Sequence, residues 1–242
     1  MKSRLDQVLV IQGLVSSRSQ AESYIKLGNV LVNGQEIRKP GFFIDTDSTA
    51  ITLNVVQQYV SRAALKLASV AEVLHLTFSG KVVLDVGSST GGFTDYALRN
   101  GARKAIDVEV GTDQLHPSLQ DDPRIELHEQ TDIRDMMPRL SSQPDIVVID
   151  VSFISLRDVL PHIAKLSGSQ TEIIAMVKPQ FEARQSSVKH KGVIKNDRIR
   201  REILKDFENW VTAYFRILDK ADSSVAGAKG NQERFYKLKL SQ

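Results

Sequence analysis

The stretch that most constrains the fold is Asp85-Val86-Gly87-Ser88-Ser89-Thr90-Gly91-Gly92-Phe93-Thr94-Asp95. The apolar run Val82-Val83-Leu84 leads into it, and Phe93 to Leu98 has helical spacing on the way out. A strand, a tight glycine turn and a helix, in that order, build the crevice at the carboxyl edge of an open parallel sheet, where nucleotide-like ligands sit. Gly87 and Gly91 permit a sharp bend and a close approach of backbone to ligand, because no Cβ intervenes. The Gly-x-x-x-Gly-Gly spacing differs from the dinucleotide fingerprint, and the stretch lacks the Gly-Lys-Ser/Thr ending of a phosphate-gripping loop. Taken alone, the cluster fits an ordinary strand-to-helix turn equally well. The rest of the chain breaks that tie.

Strand-like runs recur between helical segments at 82–86, 105–110, 125–128, 146–151, 173–177, 217–223 and 234–240. Such alternation implies a doubly wound α/β sheet with right-handed crossovers. An acidic residue about 20 positions beyond the glycine turn can accept both hydroxyls of a ribose. Asp107 and Glu109 alternate onto one face and both qualify, with Glu109 preferred. Asp132, after the third strand, is placed to accept an adenine amino group. Asp85, directly before the turn, suits a ligand with an amine and a positive centre. The expected site for S-adenosyl-L-methionine is therefore Asp85, Gly87, Ser88, Ser89, Thr90, Gly91, Gly92, Phe93, Glu109, Asp132 and Asp150.

Asp150 follows the wholly apolar Ile146 to Ile149, and Lys178 follows a second apolar run, so both emerge at the same rim. Ionisable residues in such positions mark functional sites more often than packing. The turn-rich stretch Gly227 to Glu233 is expected to bring Glu233 back toward the first strand. Tyr59 to Leu67 begins an amphipathic helix reaching about His75, with Leu65, Leu67, Val70, Val73 and Leu74 as its buried stripe and Lys66 beside it.

A smaller unit precedes this one. The spacing of Leu5, Val8, Leu9 and Gln12 predicts a helix over residues 3–13. Ser17-Arg18-Ser19-Gln20 is a capping box for a second helix that runs to Leu27 and ends at Gly28. Val30-Leu31-Val32 and Gln35-Glu36-Ile37 flank Asn33-Gly34, a strong hairpin signal.

Composition removes other classes. The chain has no cysteine, which excludes disulfides and thiolate metal sites, and its five histidines show no metal-ligand spacing. No apolar run approaches the roughly 20 residues of a membrane span, and the N-terminus does not read as a signal peptide; a cytoplasmic protein is expected. The net charge is only +3, but its distribution is uneven. Residues 101–160 carry six Lys/Arg against twelve Asp/Glu, while residues 178–205 carry nine against three. An acidic region can face a cationic ligand and a basic one a polyanion.

Arg4-Leu5-Asp6, Ser17-Arg18, Ala21, Ile25, Gly28, Val30 and Val32-Asn33-Gly34 resemble the small RNA-binding domain named after ribosomal protein S-four, the α-L fold. Tyr59-Val60-Ser61-Arg62 with Lys66, Asp85 to Asp95, Gly111 with Gln114-Leu115, Asp150 to Leu156, Lys178 to Glu182, Lys191-Gly192-Val193 and Gly230-Asn231 with Glu233 carry a second resemblance. It is to the hemolysin-A/TlyA-type ribose 2′-O-methyltransferases, relatives of the FtsJ-like enzymes. Together the two cover essentially the whole chain. They imply a Rossmann-like sheet of the class I methyltransferase type over residues 59–242, a linker at 56–58, and an N-terminal α+β domain over residues 1–55. They also imply a catalytic tetrad of Lys66, Asp150, Lys178 and Glu233, no metal, and a ribosomal RNA cytidine as target, with the large subunit favoured. Arg4, Arg18, Lys26 and Arg62 are the implied RNA contacts, the ribosomal subunit is the implied partner, and no membrane is involved. Lys178 is the candidate for drawing off or polarising the 2′ proton, with Asp150 orienting it.

Three departures stand out: Ala63-Ala64 in place of a glycine pair, Glu109 in place of an Asp, and Val188-Lys189-His190 ahead of Lys191. A non-catalytic RNA-binding factor and a membrane-lysing protein are the rival readings.

Overall fold

The computed structural model describes all of the chain except residues 1, 16, 47–48, 55–58, 138–139, 187–191, 228–229 and 242. The expected linker 56–58, Val188-Lys189-His190 and Lys191 thus lie outside the described residues. The front elements are β1 (Lys2–Arg4), α1 (Leu5–Ile11), α2 (Arg18–Lys26), β2 (Val30–Val32), β3 (Gln35–Glu36), β4 (Phe43–Asp45) and β5 (Ile51–Leu53). The first helix is shorter than its periodicity suggests, because residues 2–4 pair instead with β4, Arg4 opposite Phe43. Ser17 caps α2 by accepting from the Gln20 N–H at 3.2 Å. Asn33 and Gly34 both take positive φ, +50° and +79°, and turn β2 into β3.

The remaining elements are α3 (Arg62–Ala71), β6 (Val82–Val86), α4 (Gly92–Arg99), β7 (Lys104–Val108), α5 (Pro117–Gln120), β8 (Ile125–His128), β9 (Ile146–Ile149), α6 (Leu156–Leu166), β10 (Glu172–Val177), α7 (Pro179–Glu182), α8 (Asp197–Val211), β11 (Phe215–Asp222) and β12 (Arg234–Leu240). Seven of these strands form one sheet in the order β11-β12-β10-β9-β6-β7-β8. β10, β9, β6, β7 and β8 are parallel, and β12 lies reversed between β10 and β11. The strand order changes direction at β6, which places a crevice outside the carboxyl ends of β6 and β9.

Alternation along the buried strands divides the core into two layers. Val82, Leu84 and Val86 face a layer that includes α6 and α8, through residues such as Leu160 and Phe207. Val83, Ala105, Val148 and Met176 face the layer of α3 and α4, with Leu67, Val70, Phe93 and Ala97. α3 is shorter than expected, and Val73 lies past its end and is exposed rather than part of the stripe. Leu65 also leaves that stripe: with Val225 it joins Leu5, Leu9, Tyr24 and Ile25 in the core of the front unit. Tyr59 packs against both cores.

Candidate active site

The turn after β6 is held open by glycine. Gly87 has φ +80°, and a Cβ on it would stand 2.9 Å from the Asp150 carbonyl oxygen, so the ends of β6 and β9 could not lie as close with any other residue. Two cavities meet at this rim. One, of about 380 Å³, is lined by Glu109, Gln114, Thr131, Asp132, Ile133 and Phe153 among others. The other, of about 290 Å³, is lined by Arg62, Asp85, Ser88, Thr90, Phe93 and Lys178 among others. They share Gly87, Ser89, Asp150 and Ser152, so an elongated ligand can span both. A larger opening, about 660 Å³, lies at the far side of the sheet between β11 and β12, but its lining includes no acidic residue.

Each acid at the rim has a distinct environment. Glu109 is 8 % exposed and accepts from the Ser89 N–H at 3.0 Å and the Gly111 N–H at 2.8 Å, bracing the glycine turn from within the first cavity. Asp107, the competing candidate, is fully buried and turned to Thr94, outside both linings. β7 stops at Val108, two residues short of the expected end, which frees Glu109 from the strand. Asp132 caps a 3-10 turn by accepting from the Arg134 N–H at 2.9 Å; the Arg134 guanidinium also binds it and holds its carboxyl below the usual range. Asp85 accepts from the Thr94 N–H and hydroxyl at 3.0 and 2.8 Å, while its buried Oδ1 has no hydrogen-bond partner among the described residues. Of the expected turn residues, Gly91 and Gly92 do not reach the cavities. Gly91 packs beneath Leu115 and Leu119, and Gly92 lies against Ser61, Ala63 and Ala64 at the start of α3.

The four expected catalytic residues form two ion pairs, of which Lys178 and Asp150 line the second cavity while Lys66 and Glu233 lie outside both linings. Lys178 Nζ lies 2.6 Å from Asp150 Oδ1, both largely buried, and donates to Ser152 Oγ at 2.6 Å. Lys66 Nζ lies 2.6 Å from Glu233 Oε2, 11 % and 3 % exposed. In both pairs the carboxylate oxygen makes charge contact without a well-directed hydrogen bond. The antiparallel register of β10 and β12 sets Val177 opposite Arg234, so Lys178 and Glu233 leave the sheet at the same end. Gly227 leaves the space that the Glu233 carboxylate fills. Lys66 sits one helical turn after Arg62, whose guanidinium donates to the Ala226 carbonyl at 2.7 Å.

Several residues at the site escape sequence reasoning. Ser152 stands two positions after Asp150, where a strand-like alternation brings both to one side. Phe153 is 78 % exposed at the rim, has φ +68°, and lies tilted against Phe181 with ring centres 5.3 Å apart. Gln114 accepts from the Ser89 hydroxyl at 3.0 Å. Glu182, by contrast, is buried and structural: it accepts from Ser155 Oγ and the Leu156 N–H at 2.6 and 2.7 Å and so fixes the start of α6. On the front unit, Arg4 and Arg18 both pair with the buried Asp6, at 2.8 and 2.7 Å, with their guanidiniums part-exposed. Lys26 closes the last turn of α2.

Residues 59–240 match the FtsJ-like methyltransferase family and residues 3–49 match the S4 domain. YqxC of Bacillus subtilis, named as an rRNA methyltransferase, is 38% identical over 235 residues, which are 96% of this chain and 84% of that protein. A Campylobacter jejuni protein named 23S rRNA (cytidine-2′-O)-methyltransferase TlyA is 35% identical, over 91% of this chain and 93% of its own. The solved structure of a hemolysin-named protein from Streptococcus thermophilus superposes with a TM-score of 0.72 at 35% identity, covering 100% of this chain and 89% of that one.

Proposed function

Because the chain belongs to the FtsJ-like methyltransferase family and carries an S4 domain in front, we propose that it methylates the ribose 2′-oxygen of a cytidine in ribosomal RNA, with S-adenosylmethionine as cofactor. The observation that carries this reading is the buried Lys178–Asp150 contact in the second cavity, with a second buried pair, Lys66–Glu233, one helical turn beyond Arg62 of the same lining.

The residues present fit the cofactor. The partnerless Oδ1 of Asp85 suits its amine, and the Glu109 carboxylate suits its ribose hydroxyls. Asp132 with Thr131 and Ile133 would border its adenine, and Gly87, Ser88, Ser89, Thr90 and Phe93 its amino-acid end. When bound, S-adenosylmethionine supplies a methyl group on a sulfonium, which is already a good electrophile. What the protein adds is a nucleophile held in place, and alignment of reactants can supply much of the acceleration. Lys178 Nζ, fixed by Asp150 and Ser152, is the group that polarises the 2′-hydroxyl or, in its neutral form, accepts its proton. Lys66 and Glu233 orient the ribose and each other.

The front unit, residues 1–55, holds the RNA through Arg4, Arg18 and Lys26, and Arg62 extends that contact toward the site of residues 59–242. Phosphate contacts of this kind position the RNA without reading its sequence. The large ribosomal subunit is the favoured substrate, which puts the reaction in the cytoplasm. Mass mapping of ribose methylation in ribosomes from cells with and without the gene tests the proposal. A cytidine in large-subunit RNA that loses its 2′-O-methyl group with the gene, and regains it only with an intact Lys178, is the expected outcome. Unchanged ribosomal methylation would refute it.

A further inference from the structure

Behind Asp85 of the second cavity a second buried carboxyl, Asp107, faces it from the neighbouring strand. β6 and β7 run in a register that sets Asp85 directly opposite Asp107, and both side chains point to the face covered by α4. Thr94 stands between them. Its Oγ1 is 2.8 Å from Asp85 Oδ2 and 2.6 Å from Asp107 Oδ1. A hydroxyl has one hydrogen and can donate to only one of the two oxygens. If both carboxyls were ionised, the other contact would press two oxygens together with no hydrogen between them.

We propose that Asp85 and Asp107 share a single proton across Thr94 in the free protein, and that they release it to solvent when the positively charged amine of S-adenosylmethionine occupies the cavity above Asp85. The second half rests on the cofactor reading given above; the first does not. Asp85 Oδ2 already receives both the N–H and the O–H of Thr94, so the proton lies on Asp107 and is donated to Thr94 Oγ1. Asp107 is fully buried and its Oδ2, like Asp85 Oδ1, has no hydrogen-bond partner among the described residues, which is costly for two carboxylates side by side and less so when one of them is a neutral acid. Burial raises both acids, Asp107 to about 7 and Asp85 well above the usual range, and repulsion between the two facing carboxyls and from Asp150 opposes ionising both at once.

The other charged groups around the pair come from four elements. Arg62 of α3, Asp150 after β9 and Lys178 after β10 line the same cavity as Asp85. Asp95 of α4 is turned to the Val60 N–H and Arg99. β8 places only Leu127 opposite Asp107. A cation arriving at Asp85 favours the doubly ionised pair over the singly ionised one. By linkage, cofactor affinity then rises as pH climbs through the titration of the pair, by up to about tenfold per pH unit for one proton released. Asp107 is on this account a positioning residue. It keeps Asp85 as the lone anion of the empty site and admits the second charge only against a bound cation.

Calorimetry of S-adenosylhomocysteine binding to the full chain, in buffers of different ionisation enthalpy near neutral pH, counts the protons released. The ligand amine is itself titratable and contributes equally to both proteins, so the comparison with Asp107→Asn isolates the pair. That substitution keeps a donor to Thr94 but carries no exchangeable acid. Wild type is expected to release close to one proton more than Asp107→Asn around pH 7, and to show the steeper rise of affinity with pH. Equal proton counts would overturn the coupling. Infrared spectra of the ligand-free protein test the shared proton separately: a carboxylic-acid carbonyl band that fades as pH rises through neutrality and is missing from Asp107→Asn is expected. Its absence from wild type overturns the shared proton whatever the ligand does. A band present without any S-adenosylhomocysteine binding would instead overturn the cofactor reading, and with it the release step.

Discussion

Lys178 is held from three sides: Asp150 and Ser152 each lie 2.6 Å from its ammonium group, and the Phe181 ring centre lies 6.0 Å away. Such a side chain has one geometry available, which is what a group acting on a hydroxyl proton needs. Lys178→Ala is expected to lower methyl transfer by at least about 10²–10⁴-fold while S-adenosylhomocysteine binding, measured by calorimetry, stays close to wild type. Turnover near the wild-type level would remove Lys178 from the chemistry. Phe153 is a different case, since it is exposed, apolar and in a left-handed conformation that non-glycine residues rarely adopt. Strain of this kind at a rim is retained where a side chain has something to contact. Phe153→Ala is expected to weaken RNA binding by about 1–3 kcal/mol, the worth of one base stacked on an aromatic ring, a larger loss than in cofactor affinity, where the side chain is only part of the first cavity's lining. Filter binding with a large-subunit RNA fragment distinguishes the two effects. Neither Phe153 nor Ser152 is legible in sequence, because their roles depend on which strand end lies beside them.

At the scale of elements, α3 and α4 meet without room for a side chain at Gly92. Gly92 opens α4 against Ser61, Ala63 and Ala64, and a Cβ there would meet the Ser61 hydroxyl and come within 2.8 Å of Ala63 Cβ. With alanines rather than glycines on the α3 side, the space has to be left by α4. Gly92→Ala should therefore destabilise the protein by about 1–3 kcal/mol through overpacking, read as a lowered midpoint in urea unfolding. An unchanged midpoint would show that the helices can slide apart freely. In the front unit, α1 and α2 are tied by Asp6, which is buried and whose carboxyl is held below the usual range by its hydrogen bonds to Arg4 and Arg18. A depressed folded-state value contributes stability above the unfolded value of about 3.9, and that stability is lost as pH falls through the lower, folded value. Acid unfolding followed by circular dichroism should lose this component in Asp6→Asn, whose stability should vary less with pH in that range. The sequence patterns anticipate these helices well, from the Ser17 cap to the Gly28 stop. They overrun at residues 3–4 and at Val73, where pairing with β4 and the end of α3 override periodicity.

Across the whole molecule, the two units share buried residues: Leu65 of α3 and Val225, which follows β11, complete the core of the front domain. Leu65→Ala is expected to cost about 2–5 kcal/mol and to loosen the front unit more than the sheet, which hydrogen exchange resolved by residue would show. RNA binding should fall with salt, and replacing both Arg18 and Lys26 by Ala should flatten the logarithmic salt dependence by roughly 1–2 in slope; an unaltered slope would take these side chains off the phosphates. Lys66 and Glu233 come from the family resemblance. The succession of strands along the chain, the glycine turn, the hairpin at Asn33-Gly34 and the emergence of Asp150 and Lys178 at strand ends are written in the chain, because each rests on local spacing or on an apolar run ending in an ionisable group. The choice of Glu109 over Asp107 as the acid of the cavity, the pairing of Lys66 with Glu233 from opposite ends of the domain, and the proton held between two facing carboxyls are not. They depend on which strand stops where and which side chain lies across from it, and only the packed sheet sets those distances.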